Sequence, residues 1–470
     1  MNQDKPEFDV LVLAAGLGTR MKSHLPKVLH PASGRPLVDH VLRSVAPLRP
    51  ARTVVVVGAG AQLVEGFLAG RGIEFVRQDP PKGTGDAVRM ARPLLAGSGR
   101  LLLILSGDVP LIRTETLEKL LGVAANMGGG ALLTARLAEP GAYGRIVRDP
   151  MGRVERIVEA RDASSEERSI GEVNAGVYAL REEPLWGELA LLQPSNAQGE
   201  YYLTDAVEAL SRGGFPVAPV VLADPQEMAG VNTRAELADV AGALRGRIAA
   251  RHLAAGVTLV DPDGVWIDDT VELAQDVTIH PWVHLEGTTK IGTGSVIRSF
   301  CRLANAHIGE NAEILEGVVA NNAEIGNRSH VGPWAHLRPG TRLGEEVKVG
   351  NFVETKKATL GRGSKASHLS YLGDAQIGEG VNVGAGTITC NYDGVDKHVT
   401  VLEDGVFIGS DSQLVAPVTV GRGAYVGAGS TITKDVPAGA LAISRSTQKN
   451  VAGWVSKKQE KRREKSEKKV

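Results

Sequence analysis

The sequence predicts an α/β protein in two parts: a Rossmann-like domain, a connecting helix, and a C-terminal left-handed parallel β-helix of hexapeptide repeats. Two patterns carry this. Short apolar runs alternate with helix-compatible segments through the N-terminal half, and an aliphatic residue returns every sixth position through the C-terminal half. The beat runs Ile267, Leu273, Ile279, Leu285, Ile291, Ile297 and Leu303, then, after one five-residue step, Ile308 and Ile314. It returns as Ile325, Val331, Leu337, Leu343 and Val349, as Ile377 and Val383, and as Ile408, Leu414, Val420, Val426 and Ile432. Neither a helix nor a simple alternating strand has a period of six. Short flat strands joined by tight turns do, with the aliphatic side chain pointing inward and three hexads closing one triangular coil. Gly often follows the aliphatic residue, as in Ile291-Gly292 and Val420-Gly421, and the position four after it is usually small or β-branched.

At 470 residues the chain exceeds one ordinary core, and 43% hydrophobic residues can fill two. Aromatics at 4% beside 57 glycines fit a narrow interior lined by Ile, Leu and Val. A formal net charge of −1 gives no global electrostatic case for nucleic acid. Cys301 and Cys390 make no disulfide framework and point to a reducing compartment. The start, MNQDKPEFDV, lacks the apolar core of an export signal, and no apolar run reaches membrane-spanning length. A cytoplasmic protein without membrane insertion is expected.

Taken in order, apolar strands are expected at Val10–Leu13, Thr53–Val57, Ile73–Val76, Leu101–Leu105 and Ala131–Leu137. Helices fall between them at Leu37–Ala46, Asp86–Leu95 and Thr114–Ala125, which implies a mostly parallel sheet with its loops at the strand C-termini. More irregular strands at Gly144–Arg148, Val154–Glu159, Val173–Leu180 and Val217–Leu222 complete a domain over 1–232. Thr233-Arg234-Ala235-Glu236 is a capping box, followed by Leu237, Val240, Ala241, Leu244 and Ile248 at helical spacing, with Gly256 as C-cap. This makes 233–255 a linker helix and 256–455 the β-helix, with a solvated basic tail over 456–470.

The first strand runs into Ala14-Ala15-Gly16-Leu17-Gly18-Thr19-Arg20. A strand ending in a Gly-rich loop offers backbone N–H groups to an anion, and Arg20 and Lys27 add cations. Two glycines alone make only a tight turn, and neither the P-loop nor the dinucleotide fingerprint is complete. Gly16-x-Gly18-Thr19-Arg20-Met21 followed by Pro26-Lys27 is more specific, and it resembles the sugar-phosphate nucleotidyltransferases.

That resemblance implies a UTP and UDP-sugar site built from Leu13, Ala14, Ala15, Gly16, Gly18, Arg20 and Lys27, with Ser106, Gly107 and Asp108 at the end of a buried strand. Gln78, Gly83 and Thr84 would read the base, and Gly144, Glu159 and Asn174 the sugar. Asp108 and Asn232 would hold Mg²⁺. Glu200-Tyr201-Tyr202-Leu203-Thr204-Asp205 is similar to the uridylyltransferase members. Asp86 departs from the pattern, since many relatives carry His there; little consequence is expected.

In the C-terminal half the informative stretch is the break in the beat between Leu343 and Val426. It holds Gly350-Asn351-Phe352-Val353-Glu354-Thr355-Lys356-Lys357, Ser367-His368-Leu369-Ser370-Tyr371-Leu372-Gly373-Asp374, Asn382-Val383-Gly384-Ala385-Gly386-Thr387 and Thr389-Cys390-Asn391-Tyr392-Asp393-Gly394. Polar residues interrupting a solenoid mark a working surface. These stretches resemble the acetyltransferase half of the bacterial bifunctional UDP-N-acetylglucosamine pyrophosphorylase/glucosamine-1-phosphate N-acetyltransferases, and both halves together cover nearly the whole chain.

The resemblance implies an amino-sugar phosphate against Arg338, Lys356, Tyr371 and Asn382, and acetyl-CoA along Ala385, Asn391, Tyr392, Ser410, Ala428 and Arg445. His368 would be the general base, as imidazole titrates in the range needed to deprotonate an amine. Cys390 is expected to be a buried structural thiol, because direct transfer needs no nucleophile. His280, His284, His307, His330 and His336 share no metal-site spacing. A homotrimer is implied by the family. Two other readings remain: a sugar-1-phosphate nucleotidyltransferase with a non-catalytic β-helix, disfavoured by the polar stretch around His368, and a non-catalytic scaffold, disfavoured by Arg20, Lys27, Asp108 and Asn232.

Overall fold

The computed structural model describes residues 6–194 and 199–468. Part of the charged start, residues 1–5, and the last two residues of the basic tail lie outside the described residues. Contacts divide the chain into two compact units, Met1–Ala250 with Ile267–Asp269, and Arg251–Trp266 with Thr270–Val470.

The first unit is built on one nine-stranded sheet: β1 (Phe8–Ala14), β2 (Thr53–Val57), β3 (Glu74–Arg77), β4 (Leu101–Ser106), β5 (Gly130–Arg136), β6 (Arg145–Arg148), β7 (Val154–Val158), β8 (Glu172–Arg181) and β9 (Val217–Val221). The order is β3-β2-β1-β4-β8-β5-β9-β7-β6. The half from β3 to β4 is the parallel sheet expected, and β9 pairs parallel with β5; β8 runs antiparallel to both β4 and β5, and β6 pairs antiparallel with β7. Successive residues of β1 feed opposite cores, Val10 and Val12 into one and Leu11 into the other, because side chains alternate across a strand. The helix expected at Asp86–Leu95 is two, Thr84–Met90 and Arg92–Leu95, since Pro93 has no N–H to continue the ladder.

A long helix, Arg234–Ala254, follows. Its capping box is present: Glu236 N donates to Thr233 Oγ1 at 3.2 Å, and Thr233 N to Glu236 Oε2 at 2.8 Å. Gly256 ends it at φ +89°, with Val257 N bonded to His252 O, a conformation that a residue with a Cβ rarely adopts. Val240 and Leu244 form a small core with Met21, Leu37, Leu111 and Val231, which steadies both the Gly16–Lys27 loop and the chain leading to Asn232.

In the second unit short parallel strands, most of two to four residues, stack rung on rung into a curled parallel β-helix, with Ile279 over Ile297, Ile314 and Val331 in one column. Every residue of the aliphatic beat is buried except half-buried Leu273. Buried Ser295, Ser329 and Ser364, four after the aliphatic residue, donate to the carbonyls of Gly309, Gly344 and Gly378 in the following coil. The apparent break in the beat is not a break in the coil. Ala320, Thr355, Leu360, Ala366, Leu372, Thr389 and Leu402 occupy the inward slots, so the register continues, with the leucines separated by Ala and Thr residues too small or too polar to show as a hydrophobic pattern. One segment does leave the coil: Val383 pairs with Ile408, and the extra length between them is the loop Asn391–Val399, closed by a bridge from Tyr392 to Lys397. Beyond the coil, Trp454–Glu467 is an exposed helix, two residues longer at its start than the tail drawn from sequence.

Candidate active sites

In the first unit the C-terminal ends of β1 and β4 lie side by side, with Leu13 opposite Ser106 and Gly107 N bonded to Leu13 O at 2.9 Å. Parallel sheets bind ligands at such strand ends. Leu13, Ala14, Ala15, Gly16 and Lys27 line a cleft there together with Gln78, Gly83, Thr84, Ser106 and Asp108. Gly18 takes φ +61° beside Lys27, where a Cβ would stand 2.8 Å from that of Lys27. Arg20 is not among the cleft-lining residues: it stands exposed, within electrostatic range of Glu236.

Lys27 Nζ donates to both Asp108 Oδ2 and Asn232 Oδ1, the latter at 3.0 Å. Val231 N, bonded to Asp108 O at 2.9 Å, brings the second segment to the first. Two hard oxygens thus converge on one positive charge. That donor set fits Mg²⁺, which takes few protein ligands and completes its shell with water and phosphate.

The three residues expected to read the sugar are brought together. Asn174 N donates to Gly144 O at 2.8 Å, and a Cβ on Gly144 would meet Ile157 at 3.0 Å and Glu159 at 3.5 Å. Asn174 is fixed by Nδ2 donating to the buried Tyr178 hydroxyl at 2.7 Å, at an irregularity in the pairing of β8 with β5. Burial holds the Glu159 carboxyl above its ordinary range, although Thr204 donates to it at 3.3 Å. Glu159 lines a second depression with Tyr202 and Asp205. The segment Tyr201–Thr204 links the groups, since Gly85 N donates to Tyr201 O and Leu203 N to Thr84 Oγ1.

In the second unit the register aligns a column along one corner. Asn351, His368, Ala385, Ser410 and Ala428 each stand two residues after an inward one: Val349, Ala366, Val383, Ile408 and Val426, which pair in that order. His368 Nδ1 is bonded to Asn351 Oδ1. Further along, Asp411 N bonds to Ala385 O, Gly429 N to Ser410 O, and Arg445 Nη1 to Ala428 O at 2.6 Å.

On the other sheet Arg338 and Lys356 follow the paired Leu337 and Thr355. Tyr371 pairs with Glu354, and its phenol lies over Gly373, where any Cβ would run into the hydroxyl. Lys397 beside it, and then Arg338, push the Lys356 ammonium below its ordinary value. Lys356 thus stands beside two further cations, of which Arg338 is held by Glu354 at 2.7 Å, a cluster that suits an anion. Asn382 lies on the sheet of His368, between Lys365 and Phe407.

Residues 10–175 match the MobA-like NTP transferase domain, residues 263–360 the GMPPB C-terminal domain, and residues 400–434 the bacterial transferase hexapeptide (six repeats). The chain is 48% identical to the bifunctional protein GlmU of Pelobacter propionicus over 94% of this chain and 97% of that one. It is 49% identical to that of Syntrophotalea carbinolica, over 95% and 97%, and to that of Bordetella parapertussis, over 95% and 98%. The chain belongs to the bifunctional GlmU family.

Some residues at these GlmU sites carry no role in the sequence reading. Asn351 orients His368; the signal was its place two after Val349, hidden because Ala366 does not look like a core residue. Asp374 accepts from Asn391 Nδ2, which places that buried amide. Lys397 sits in the one off-coil loop, where no periodicity points to it, and Asp393, bonded to His398 at 2.8 Å, braces that loop. Asp86 is buried and hydrogen-bonded to Gln78 at 2.9 Å. The Cys390 thiol is only half-buried, contrary to expectation, because Thr389 takes the inward position of that strand; Cys301 is the buried cysteine, and burial pushes its thiol up to about 12.

Proposed function

We propose that the chain makes UDP-N-acetylglucosamine in two steps: acetyl transfer from acetyl-CoA to glucosamine-1-phosphate in the β-helix, then uridylyl transfer from UTP to N-acetylglucosamine-1-phosphate in the sheet domain, with release of pyrophosphate. The observation that supports this is the presence on one chain of two separate polar clusters, the Lys27–Asp108–Asn232 cluster at the strand ends and the Asn351–His368–Ala385–Ser410–Ala428 column. No helix among the described residues is long and apolar enough to cross a membrane. We place the enzyme in the cytoplasm, where UTP and acetyl-CoA are made.

For uridylyl transfer the chain aligns two polyanions and neutralises charge. The loop Leu13–Gly18 presents backbone N–H groups to the triphosphate, Lys27 supplies a cation, and Arg20 closes from the solvent side. Gln78, Gly83 and Thr84 take the base, and Gly144, Glu159 and Asn174 the sugar. Asp108 and Asn232 would hold Mg²⁺, which when bound screens the phosphates and supports the leaving pyrophosphate.

For acetyl transfer, Arg338, Lys356 and Lys397 bind the sugar phosphate, with Tyr371 and Asn382 around the sugar. Acetyl-CoA lies along Ala385, Asn391, Tyr392, Ser410, Ala428 and Arg445. His368 Nε2 accepts a proton from the sugar amine as nitrogen bonds to the thioester carbonyl carbon, and the carbon–sulfur bond then breaks to release CoA. On the corner of that column, one residue further along, Trp282, Phe300, Trp334, Phe352 and Leu369 stand exposed at positive φ, an apolar stripe that supports association with copies of itself as a homotrimer.

The deciding experiment supplies purified protein with acetyl-CoA and glucosamine-1-phosphate, and separately with UTP and N-acetylglucosamine-1-phosphate. Turnover in both is expected. Turnover in the second alone would leave the β-helix as an assembly arm.

A further inference from the structure

Gln78 directly follows β3, with its N–H donating to Val57 O at 2.8 Å, and is only 4% exposed. Its amide nitrogen donates twice, to Gly83 O at 3.0 Å and to Asp86 Oδ2 at 2.9 Å. Both partners are acceptors: one is a peptide carbonyl, and the other a carboxylate whose second oxygen takes Arg89 Nη2 at 2.6 Å. Arg89 is itself held over the Tyr201 ring at 4.6 Å. An amide NH₂ has two hydrogens, and both are used. Turning the amide over would set its oxygen against two acceptors. The group left for the cleft that Gln78 lines is therefore the amide oxygen, which can only accept.

We infer that Asp86 is a positioning residue for base selection: it locks the Gln78 amide with its oxygen toward the nucleotide, so that the site takes a pyrimidine carrying a ring N–H and refuses one that does not. The inference rests on the reading of Gln78 as a base contact. Uracil presents N3–H between two carbonyls; cytosine presents a bare N3, an acceptor facing an acceptor. A buried pair of lone pairs with no hydrogen between them is costly, and sites built on such polar matches discriminate far more strongly than those built on shape. With Asn at position 86, an NH₂ can be offered to the Gln78 oxygen, and the amide is free to reverse.

The test compares kcat/KM for UTP and CTP in transfer to N-acetylglucosamine-1-phosphate, using full-length wild type, Asp86→Asn, Asp86→Ser and Gln78→Leu, each checked by thermal unfolding. The wild type is expected to favour UTP and to refuse N3-methyl-UTP, a probe that needs no variant. Asp86→Asn and Asp86→Ser should lower the UTP-to-CTP ratio about tenfold, chiefly by improving KM for CTP. A merely structural role for Asp86 would lower both nucleotides together and leave the ratio as it was. An unchanged ratio in a folded Asp86 variant, with the ratio lost in Gln78→Leu, overturns the inference and leaves the base contact standing. An unchanged ratio in Gln78→Leu, or wild-type turnover of N3-methyl-UTP equal to that of UTP, overturns both.

Discussion

His368 Nδ1 lies 2.6 Å from Asn351 Oδ1, one coil above it in register. With the amide oxygen accepting, Nδ1 carries the hydrogen and Nε2 the lone pair, the arrangement a general base needs. His368→Ala should lower acetyl-transfer kcat by about 10²–10⁴-fold and leave uridylyl transfer unchanged. Parallel assays of the two reactions on one preparation, with the assembly state checked by light scattering, decide it. Near-normal acetyl transfer in a correctly assembled variant removes His368 from the role.

Asn351→Leu tests the orientation rather than the proton transfer. The imidazole would keep its chemistry but lose the partner that fixes its tautomer. A fall of about tenfold in acetyl-transfer kcat, with KM for the amino sugar little changed, is expected, smaller than for loss of the base itself. Equal losses in the Asn351→Leu and His368→Ala proteins would mean that Asn351 does more than orient.

Asp108→Asn keeps the shape of the site and removes the one negative charge beside Lys27, whose ammonium Asp108 and Asn232 share. Uridylyl transfer should drop by about 10²-fold or more, with a higher magnesium concentration needed for half-maximal rate, while acetyl transfer is spared. A magnesium titration superimposing on that of the wild type would exclude Asp108 from metal binding.

Glu159 gives a pH-dependent prediction. Burial raises its carboxyl from the ordinary value of 4.5, with Asp205 and Asp162 adding repulsion. The folded protein therefore holds this proton more tightly than the unfolded chain does. Stability is lost as pH rises from the unfolded value towards the raised folded one, and the loss then stays constant. Glu159→Gln cannot ionise, so its melting temperature relative to wild type should increase between pH 4 and neutrality, even as uridylyl transfer falls about tenfold. A pH-independent difference would show that the folded carboxyl ionises as readily as the unfolded one.

The sequence makes most of this architecture visible because repetition is a local signal. Each Ile or Val of the beat declares its own inward position, and Gly16-x-Gly18-Thr19-Arg20 declares a strand end. What stays hidden depends on partners far along the chain. The antiparallel insertion of β8 between β4 and β5 is a pairing choice, and nothing within Glu172–Arg181 encodes direction. Ala320, Thr355 and Ala366 fill inward slots only because their neighbours above and below do. Lys397 reaches Lys356 from a loop whose length, not its pattern, puts it there. Asp86 looked inconsequential as a departure from a motif, and its contact with Gln78 appears only when the turn at Gly83 is folded.

The place at which the two activities can be parted follows from the long helix. A cut after Asn232 looks natural in sequence, because the capping box begins at Thr233. In the fold, however, Glu236 accepts from Asn232 N at 2.7 Å as well as from Thr233 N, so the cap also fixes the backbone of Asn232. Val240 and Leu244 are buried against Met21, Leu37, Leu111 and Val231. Losing two such side chains forfeits roughly 1.5–3 kcal/mol each, a large share of the stability of a typical domain. A fragment ending at Ala250 should therefore fold, transfer uridylyl groups at close to the full-length rate and lack acetyl transfer. One ending at Asn232 should melt several degrees lower and lose uridylyl transfer, as Asn232 comes free of Lys27. Thermal unfolding and pyrophosphate release, measured on both fragments, separate the cases. A stable, inactive fragment ending at Ala250 would show that uridylyl transfer needs residues from beyond the helix, and equal stability of the two would show that the helix adds nothing to the first unit.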